Sequence, residues 1–132
     1  MTARPQAETT PSGHAARLGQ AFGPALRDHR RTAGLSQRDL AARTGLDFSY
    51  ISKIENGRLP SPAADTIVAI CQVLDTPPED LLALTRKLPS AVQQTVSSSP
   101  AAQQFLREAQ QMALTDQEWA TMVRALRRLR RA

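Results

Sequence analysis

The chain has 132 residues and a formal net charge of +5, with 41% hydrophobic and 4% aromatic residues. No apolar run approaches the roughly 18 residues that a membrane-spanning helix needs, and the start of the chain lacks the apolar segment of a signal peptide, so we expect a cytoplasmic protein. The single cysteine, Cys71, excludes an internal disulfide, and His14 and His29 lie far from any cysteine cluster, so the sequence predicts no metal site and no cofactor.

The amino-terminal part of the chain divides near residue 18. Residues 1–17 contain proline, threonine, serine and glycine without apolar periodicity, and we expect them to form a disordered arm. The first helix is expected to begin between Leu18 and Pro24, because proline suits a first helical turn, and to end at Gly34, which suits a helix C-terminus at positive φ.

Residues 35–57 predict two short helices separated by a tight turn. Ser36 is expected to cap the second helix of the chain, and Gly45 is expected to end it. Asp47 should cap the third helix, which covers about residues 47–55. Two short helices this close, with their apolar residues on one side, can present the later one to a DNA groove.

The third predicted helix has two distinct faces. Tyr50, Ile51 and Ile54 fall together and should face the core. The spacing i, i+1, i+4, i+5, i+8 defines the opposite, outward face: Phe48, Ser49, Ser52, Lys53 and Asn56. An exposed phenylalanine on a short polar helix has little structural purpose unless something covers it. We therefore expect this face to contact DNA, with Phe48 packed on thymine methyl groups.

The remaining segments complete an all-α prediction. A fourth helix after Pro62 is expected to close the core with a stripe of residues at i, i+3, i+4 and i+7: Ile67, Ile70, Cys71 and Leu74. A fifth helix should take Thr76 as its N-cap. Residues 87–99 predict a linker or a weak helix. The region 100–132 predicts two amphipathic helices, the last of which begins with a capping box of Thr115 and Glu118.

Positive charge is concentrated in the last predicted helix. From Leu18 to Arg86 the chain has eight basic and eight acidic residues, so that region is neutral. The excess lies chiefly in five arginines: Arg124, Arg127, Arg128, Arg130 and Arg131. They fit either a solvated helix face or a nucleic-acid or membrane contact. The apolar stripe behind Trp119 fits either a dimer interface or an intrachain core, and we expect a partner surface for 100–132.

Residues 18–86 resemble the Xre family, the lambda-repressor-like helix-turn-helix domains. The resemblance rests on Arg30, on Gly34-Leu35-Ser36-Gln37, on Leu40-Ala41, on Gly45 and on the run Tyr50-Ile51-Ser52-Lys53-Ile54-Glu55-Asn56-Gly57. It implies a domain of five short helices whose third helix enters the major groove of a double-stranded DNA operator. It also implies a homodimer on a palindromic site.

The resemblance assigns expected roles to particular side chains. Gln37 should meet a phosphate and buttress the reading helix, while Arg30 and Glu55 match the family's internal ion pair. The implied DNA-binding set is Gln37, Phe48, Ser49, Ser52, Lys53, Asn56 and Arg58. Of these, Asn56 and Arg58 should hold phosphates. The side chains expected at base edges or the flanking backbone are Phe48, Ser49, Ser52 and Lys53. The chain departs from the family pattern at His29, at Phe48 and in a longer stretch from Leu59 to Asp65.

These patterns favour a sequence-specific DNA-binding transcriptional regulator, expected to be a dimeric repressor. The alternative is an antitoxin or a peptidase-controlled switch whose C-terminal helices bind a protein partner. The layout of 87–132 resembles repressors of the DdrO type, which implies dimerisation through that region and inactivation by a partner zinc peptidase. The chain shows no Ser-His-Asp set, no HExxH motif and no phosphate-binding glycine loop, so we expect no enzyme and no catalytic residues.

Overall fold

The regular structure of the described residues is helical throughout. In the computed structural model the backbone is described for residues 11–131 and the side chains for residues 21–131. The chain divides into two units, Met1–Ser90 and Ala91–Ala132. The helices are α1 (Pro11–Thr32), α2 (Gln37–Thr44), α3 (Phe48–Glu55), α4 (Ala64–Leu74), α5 (Glu79–Thr85), α6 (Ser90–Ser97), α7 (Pro100–Met112) and α8 (Asp116–Arg128).

Helix α1 begins at Pro11, earlier than the start expected between Leu18 and Pro24. Residues 11–17, which were expected in a disordered arm, are therefore helical, and the rest of that arm lies outside the described residues. Pro24 lies inside α1 and removes one backbone hydrogen bond there. Phe22 and Leu26 on either side of it are buried, and this packing supports a continuous helix where local propensity predicted a start.

The core of the first unit is formed by side chains from all five of its helices. Helix α1 packs against α3 and α5, α2 packs against α3 and α4, and α4 packs against α5. The predicted stripe of α4 is buried as expected, at Ile67, Ile70, Cys71 and Leu74. Each fully buried aliphatic side chain stabilises such a fold by about 1.5 to 3 kcal/mol. This core positions α3, because Ile51 and Ile54 are part of it.

The helix ends follow the predicted caps with one exception. The Ser36 hydroxyl accepts a hydrogen bond from the Asp39 amide at 3.0 Å, and the Asp39 carboxylate accepts one from the Ser36 amide at 3.0 Å. Thr115 and Glu118 form the same capping box at α8. Thr76, however, is not the N-cap of α5, since Pro78 occupies that position. The Thr76 amide instead donates to the Cys71 carbonyl oxygen and so helps to end α4.

The end of the first unit is tied to the loop before α4. The Lys87 ammonium donates to the Pro62 carbonyl oxygen at 2.7 Å and to the Ser61 carbonyl oxygen at 3.1 Å. The Asp65 carboxylate accepts hydrogen bonds from the Ser90 amide and from the Ser90 hydroxyl. These bonds lower the pKa of Asp65. Part of the predicted linker is thus anchored, and much of the rest forms α6.

The second unit is a set of short helices with little buried surface. Ser99 caps α7, and Pro100 lies in its first turn. Ala109 is the one side chain of α6, α7 and α8 that is buried. Among the described residues, no helix is long and apolar enough to cross a bilayer.

Candidate nucleic-acid interface

The turn between α2 and α3 is built by three local features. The Thr44 hydroxyl donates to the Leu40 carbonyl oxygen at 2.7 Å, inside the last turn of α2. Gly45 then adopts a left-handed conformation with φ of 75°, which glycine reaches without steric cost. Asp47 caps α3, because its side chain accepts a hydrogen bond from the Ser49 amide. These three features together form the turn that connects α2 to α3.

The inner side of α3 is anchored in the first unit. Ile51 and Ile54 are buried, as expected, and so is the Glu55 side chain. Tyr50, which was also expected to face the core, is half-buried and packs against its edge. The helix is held by apolar contacts along its length and by polar contacts at its end.

The outer side of α3 differs in part from the predicted face. Ser49, Lys53 and Asn56 are exposed, and so is Arg58 just after the helix. Ser52 is half-buried. The exposed polar groups of α3 are thus a hydroxyl near its start, an ammonium in its last turn and an amide just past its end. Hydroxyl, ammonium and amide groups can all hydrogen bond with base edges or phosphates.

The expectation that Phe48 is an exposed residue is wrong. Its ring is half-buried and packs against the core. The Arg38 guanidinium of α2 lies over it, with its central carbon 4.3 Å from the ring centroid, a cation–π contact. The ring therefore has an intramolecular partner, and its presence on α3 does not by itself require DNA.

Glu55 is the centre of a hydrogen-bond network at the end of α3. The Arg30 guanidinium donates to Glu55 Oε2 at 2.7 Å and to Oε1 at 2.9 Å. Gln37 Nε2 donates to Oε1 at 2.9 Å, and Arg27 Nε reaches the same oxygen at 3.4 Å. Arg30 also donates to the Leu35 carbonyl oxygen. One carboxylate thus links α1, α2 and α3.

The ionisation of this pair reflects both its burial and its hydrogen bonds. Arg30 and Glu55 are only 7% and 2% exposed. Burial alone would raise the pKa of Glu55, but the hydrogen bonds from Arg30 and Gln37 outweigh it and lower that pKa. The hydrogen bond to Glu55 likewise raises the pKa of Arg30. Both groups are charged at neutral pH, which is the state the network requires.

The amides of Gln37 and Asn56 are both oriented by this network. The Gln37 amide nitrogen is engaged by Glu55, which fits the expected buttressing role. The Asn56 side-chain oxygen accepts a hydrogen bond from Arg27 Nη2 at 2.9 Å. Arg27 thus holds the side-chain oxygen of an exposed residue. The Asn56 amide also has an NH₂ group, which can donate hydrogen bonds.

Three residues of this site carried no decisive signal in the sequence. Arg27 lies one turn before Arg30 in the sequence. This i, i+3 spacing indicates that both residues lie on one face of α1. Arg38 contacts Phe48 only because α2 and α3 pack together. A Cβ atom on Gly23 would lie 2.6 Å from the carbonyl oxygens of both Ile54 and Glu55. This glycine lets α1 approach the backbone at the end of α3.

Part of the chain matches a known family and known proteins in sequence. Residues 21–84 match the family described as Helix-turn-helix domain. The chain is 42% identical over 62 residues to the uncharacterized HTH-type transcriptional regulator RghRB of Bacillus subtilis, covering 47% of this chain and 45% of that protein. It is 33% identical over 81 residues to the uncharacterized HTH-type transcriptional regulator y4dL of Sinorhizobium fredii, covering 61% of this chain and 39% of that protein.

A solved structure is also similar. The restriction-modification controller protein C.AhdI from Aeromonas hydrophila is 38% identical, with a TM-score of 0.45, and the match covers 50% of this chain and 97% of that chain. The chain spans less than half the length of RghRB and y4dL.

The arrangement of α2, the turn at Gly45 and α3 is a helix-turn-helix. Residues 21–84 are a helix-turn-helix domain of the Xre-like transcriptional regulators, which confirms the resemblance drawn from the sequence. The all-α prediction is likewise confirmed for the residues that the structure describes.

Proposed function

We propose that this protein is a sequence-specific DNA-binding transcriptional regulator that acts as a dimeric repressor, with α3 in the major groove of its operator. The observation that carries the proposal is the two-sided character of α3. Ile51 and Ile54 anchor the helix in the core, while Ser49 and Lys53 are exposed on the same short element. Because the core already holds this helix, its backbone loses little entropy on binding.

The side chains divide into two groups with different roles. Ser49, Ser52 and Lys53 read base edges, together with the accessible part of the Phe48 ring. Gln37, Asn56 and Arg58 hold phosphates, and the Asn56 NH₂ group that Arg27 orients is suited to that contact. Phosphate contacts position the domain, and contacts to base edges choose the sequence.

Basic groups lie close to both ends of α3 and favour contacts with the DNA backbone. Arg38 lies at its start, over Phe48, and Arg27 contacts Asn56 just past its end. The region from 18 to 86 is formally neutral. The contribution of this region to affinity therefore depends on where its cations lie rather than on its net charge.

Selection of duplexes from a random library by the full-length protein tests this proposal. The selected sequence should be a palindrome with half-site centres about 34 Å apart, bound roughly 10³-fold more tightly than random DNA of equal length at the same salt concentration. On a promoter that contains this site, added protein should reduce transcription. A chain that ignores duplex DNA at low salt, or that selects no sequence, would refute it.

A second candidate function is favoured by the exposed apolar side chains of the second unit, among them Phe105, Met112 and Leu126. In that case α7 and α8 bind a different protein that switches the regulator. The native mass of the purified full-length chain distinguishes the two candidate functions. A dimer favours the first candidate, and a monomer favours the second.

A further inference from the structure

The excess positive charge of the chain is concentrated on one helix. Five exposed arginines lie in or just after α8: Arg124, Arg127, Arg128, Arg130 and Arg131. The first three are spaced i, i+3 and i+4 within the helix, so they share one side of it, here called the arginine face. The region from 18 to 86, which contains α3, is formally neutral. The second unit therefore carries a cationic surface that the region around α3 lacks.

The arginine face has no carboxylate partner in the part of the chain that the structure describes. Both ion pairs found there are made by Glu55 of the first unit. Glu118 of α8 is engaged in the capping box with Thr115. Arg124 donates one hydrogen bond to the Thr121 hydroxyl at 3.0 Å, and its guanidinium has further N–H donors. The face can therefore bind an anionic group from outside the chain.

The stability of α8 does not account for this face. The helix dipole favours cations in the last turn, where Arg127 and Arg128 lie. Arg124 precedes that turn, and its i, i+4 spacing from Arg128 forms a like-charge pair, which destabilises a helix. The repulsion among these cations is relieved when an anionic partner binds them.

The position of the apolar side chains on α8 favours a nucleic acid over a membrane as that partner. On a helical wheel, Trp119, Met122, Val123 and Leu126 centre about 140° away from the arginine face. Phe105 of α7 lines a groove together with them, so α7 lies on the apolar side. An anionic bilayer would take up that apolar side and leave the arginine face turned away from the headgroups. Nucleic-acid phosphates require only the cations.

We propose that the arginine face of α8 binds phosphates of the same DNA duplex that α3 reads, and so forms a second contact surface that is independent of sequence. The guanidinium group suits this partner, because its N–H donors match the geometry of phosphate oxygens. The proposal rests on the DNA-binding function proposed above and assigns part of the affinity to the second unit. Base contacts, and with them the choice of sequence, stay with α3.

Salt-dependent binding of the full-length protein to its selected operator and to random DNA tests this surface. Replacing all three residues, Arg124→Gln, Arg127→Gln and Arg128→Gln, should weaken binding to both duplexes about 100-fold at about 0.1 M salt. The slope of log binding constant against log salt should fall by about two to three units, because counterion release is lost. The preference for operator over random DNA should stay unchanged. Lysine at the same three positions keeps the charge and should keep the wild-type slope.

Two single substitutions provide a control for net charge. Arg124→Gln and Arg107→Gln remove the same charge from the second unit, but Arg107 is exposed on α7. Arg124→Gln should lower the slope by about one unit, and Arg107→Gln should leave it unchanged. Circular dichroism and sedimentation check that helix content and native mass match those of the wild type. Equal slopes for the two single variants, or a triple variant that binds DNA as the wild type does, would overturn the proposal.

Vesicles of phosphatidylglycerol and phosphatidylcholine test the membrane as the alternative partner. If the wild type binds these vesicles, and the triple variant loses them but keeps its DNA affinity, the arginine face binds lipid and the proposal is wrong.

The outcomes for the arginine face and for the proposed function are distinguishable. An operator that wild type and triple variant bind equally would refute the arginine face alone. A wild type that binds every duplex equally, and loses that binding in the triple variant, would refute the proposed sequence-specific function alone. A chain that ignores every duplex at low salt would refute both.

Discussion

Gly23 of α1 lies directly against the carbonyl oxygen of Glu55 at the end of α3, where an added Cβ would be only 2.6 Å away. The backbones of two helices therefore touch at the point where the Glu55 side chain also binds α1 through Arg30. The position of α3 depends on this close approach as well as on the apolar core behind it.

The first prediction concerns Gly23→Ala. Helix propensity alone predicts that alanine stabilises α1 by about 1 kcal/mol. The clash with two backbone carbonyl oxygens should outweigh that gain and lower the free energy of unfolding by about 2 kcal/mol. Thermal or urea unfolding of the purified variant measures the change. The sign is decisive, because a variant more stable than wild type would contradict the close approach.

The second prediction concerns the charge of Glu55. Glu55→Gln keeps the shape of the side chain but leaves the buried Arg30 without its counter-charge, and should lower the free energy of unfolding at neutral pH by about 3 kcal/mol. Asp28→Asn, an exposed change in the same helix that supplies Arg30, is the control and should change it by less than about 0.5 kcal/mol. Equal effects of the two substitutions would show that the network does not stabilise the fold.

The third prediction is the pH dependence of the same network. Because the folded state lowers the pKa of Glu55, this carboxylate stabilises the fold fully above its ordinary value of 4.5 and loses that contribution as the pH falls through the lowered value. The stability difference between wild type and Glu55→Gln should therefore be largest near neutral pH and shrink below about pH 4.5. Urea titrations at several pH values measure it. A difference that stays constant or widens in acid would contradict the lowered pKa.

The fourth prediction separates base reading from backbone binding on α3. Ser49→Ala and Lys53→Ala should each reduce discrimination between operator and random DNA by about tenfold or more, since a good base contact contributes about 1 to 3 kcal/mol. Competition binding measures the ratio, and circular dichroism checks that α3 is intact. If each variant weakens binding to all sequences equally, these side chains are phosphate contacts instead.

The fifth prediction concerns Arg58, which is exposed just after α3. Arg58→Ala should weaken binding to operator and random DNA alike and reduce the slope of log binding constant against log salt by about one unit. Affinities at four or more salt concentrations provide the slope. An unchanged slope would remove Arg58 from the set of phosphate contacts.

Local sequence patterns predicted the helix-turn-helix well. Ser36, Gly45 and Asp47 act over a few neighbouring residues, so the caps and the turn that they form do not depend on the rest of the chain. The start of α1 was predicted less well. Pro24 is a strong local signal for a helix start, but packing of the buried residues beside it keeps α1 continuous through that position.

The surroundings of Phe48 and Glu55 depended on contacts between helices. The cation–π partner of Phe48 comes from α2, and the donors to Glu55 come from α1 and α2, at sequence separations that no periodicity reveals. The sequence pattern of α3 could therefore show which residues are polar, but not which side chains already contact another helix of the same domain.

The sequence by itself determined the helical class, the two short helices with their turn, and the amphipathic character of α8, because each depends on residues within a turn or two of one another. Only the tertiary structure decided that Gly23 is a point of contact, that Arg27 orients Asn56 and that the Phe48 ring is partly covered. Those features arise where separate helices meet. The contacts between these residues, and the burial of their side chains, therefore form only once the core has formed.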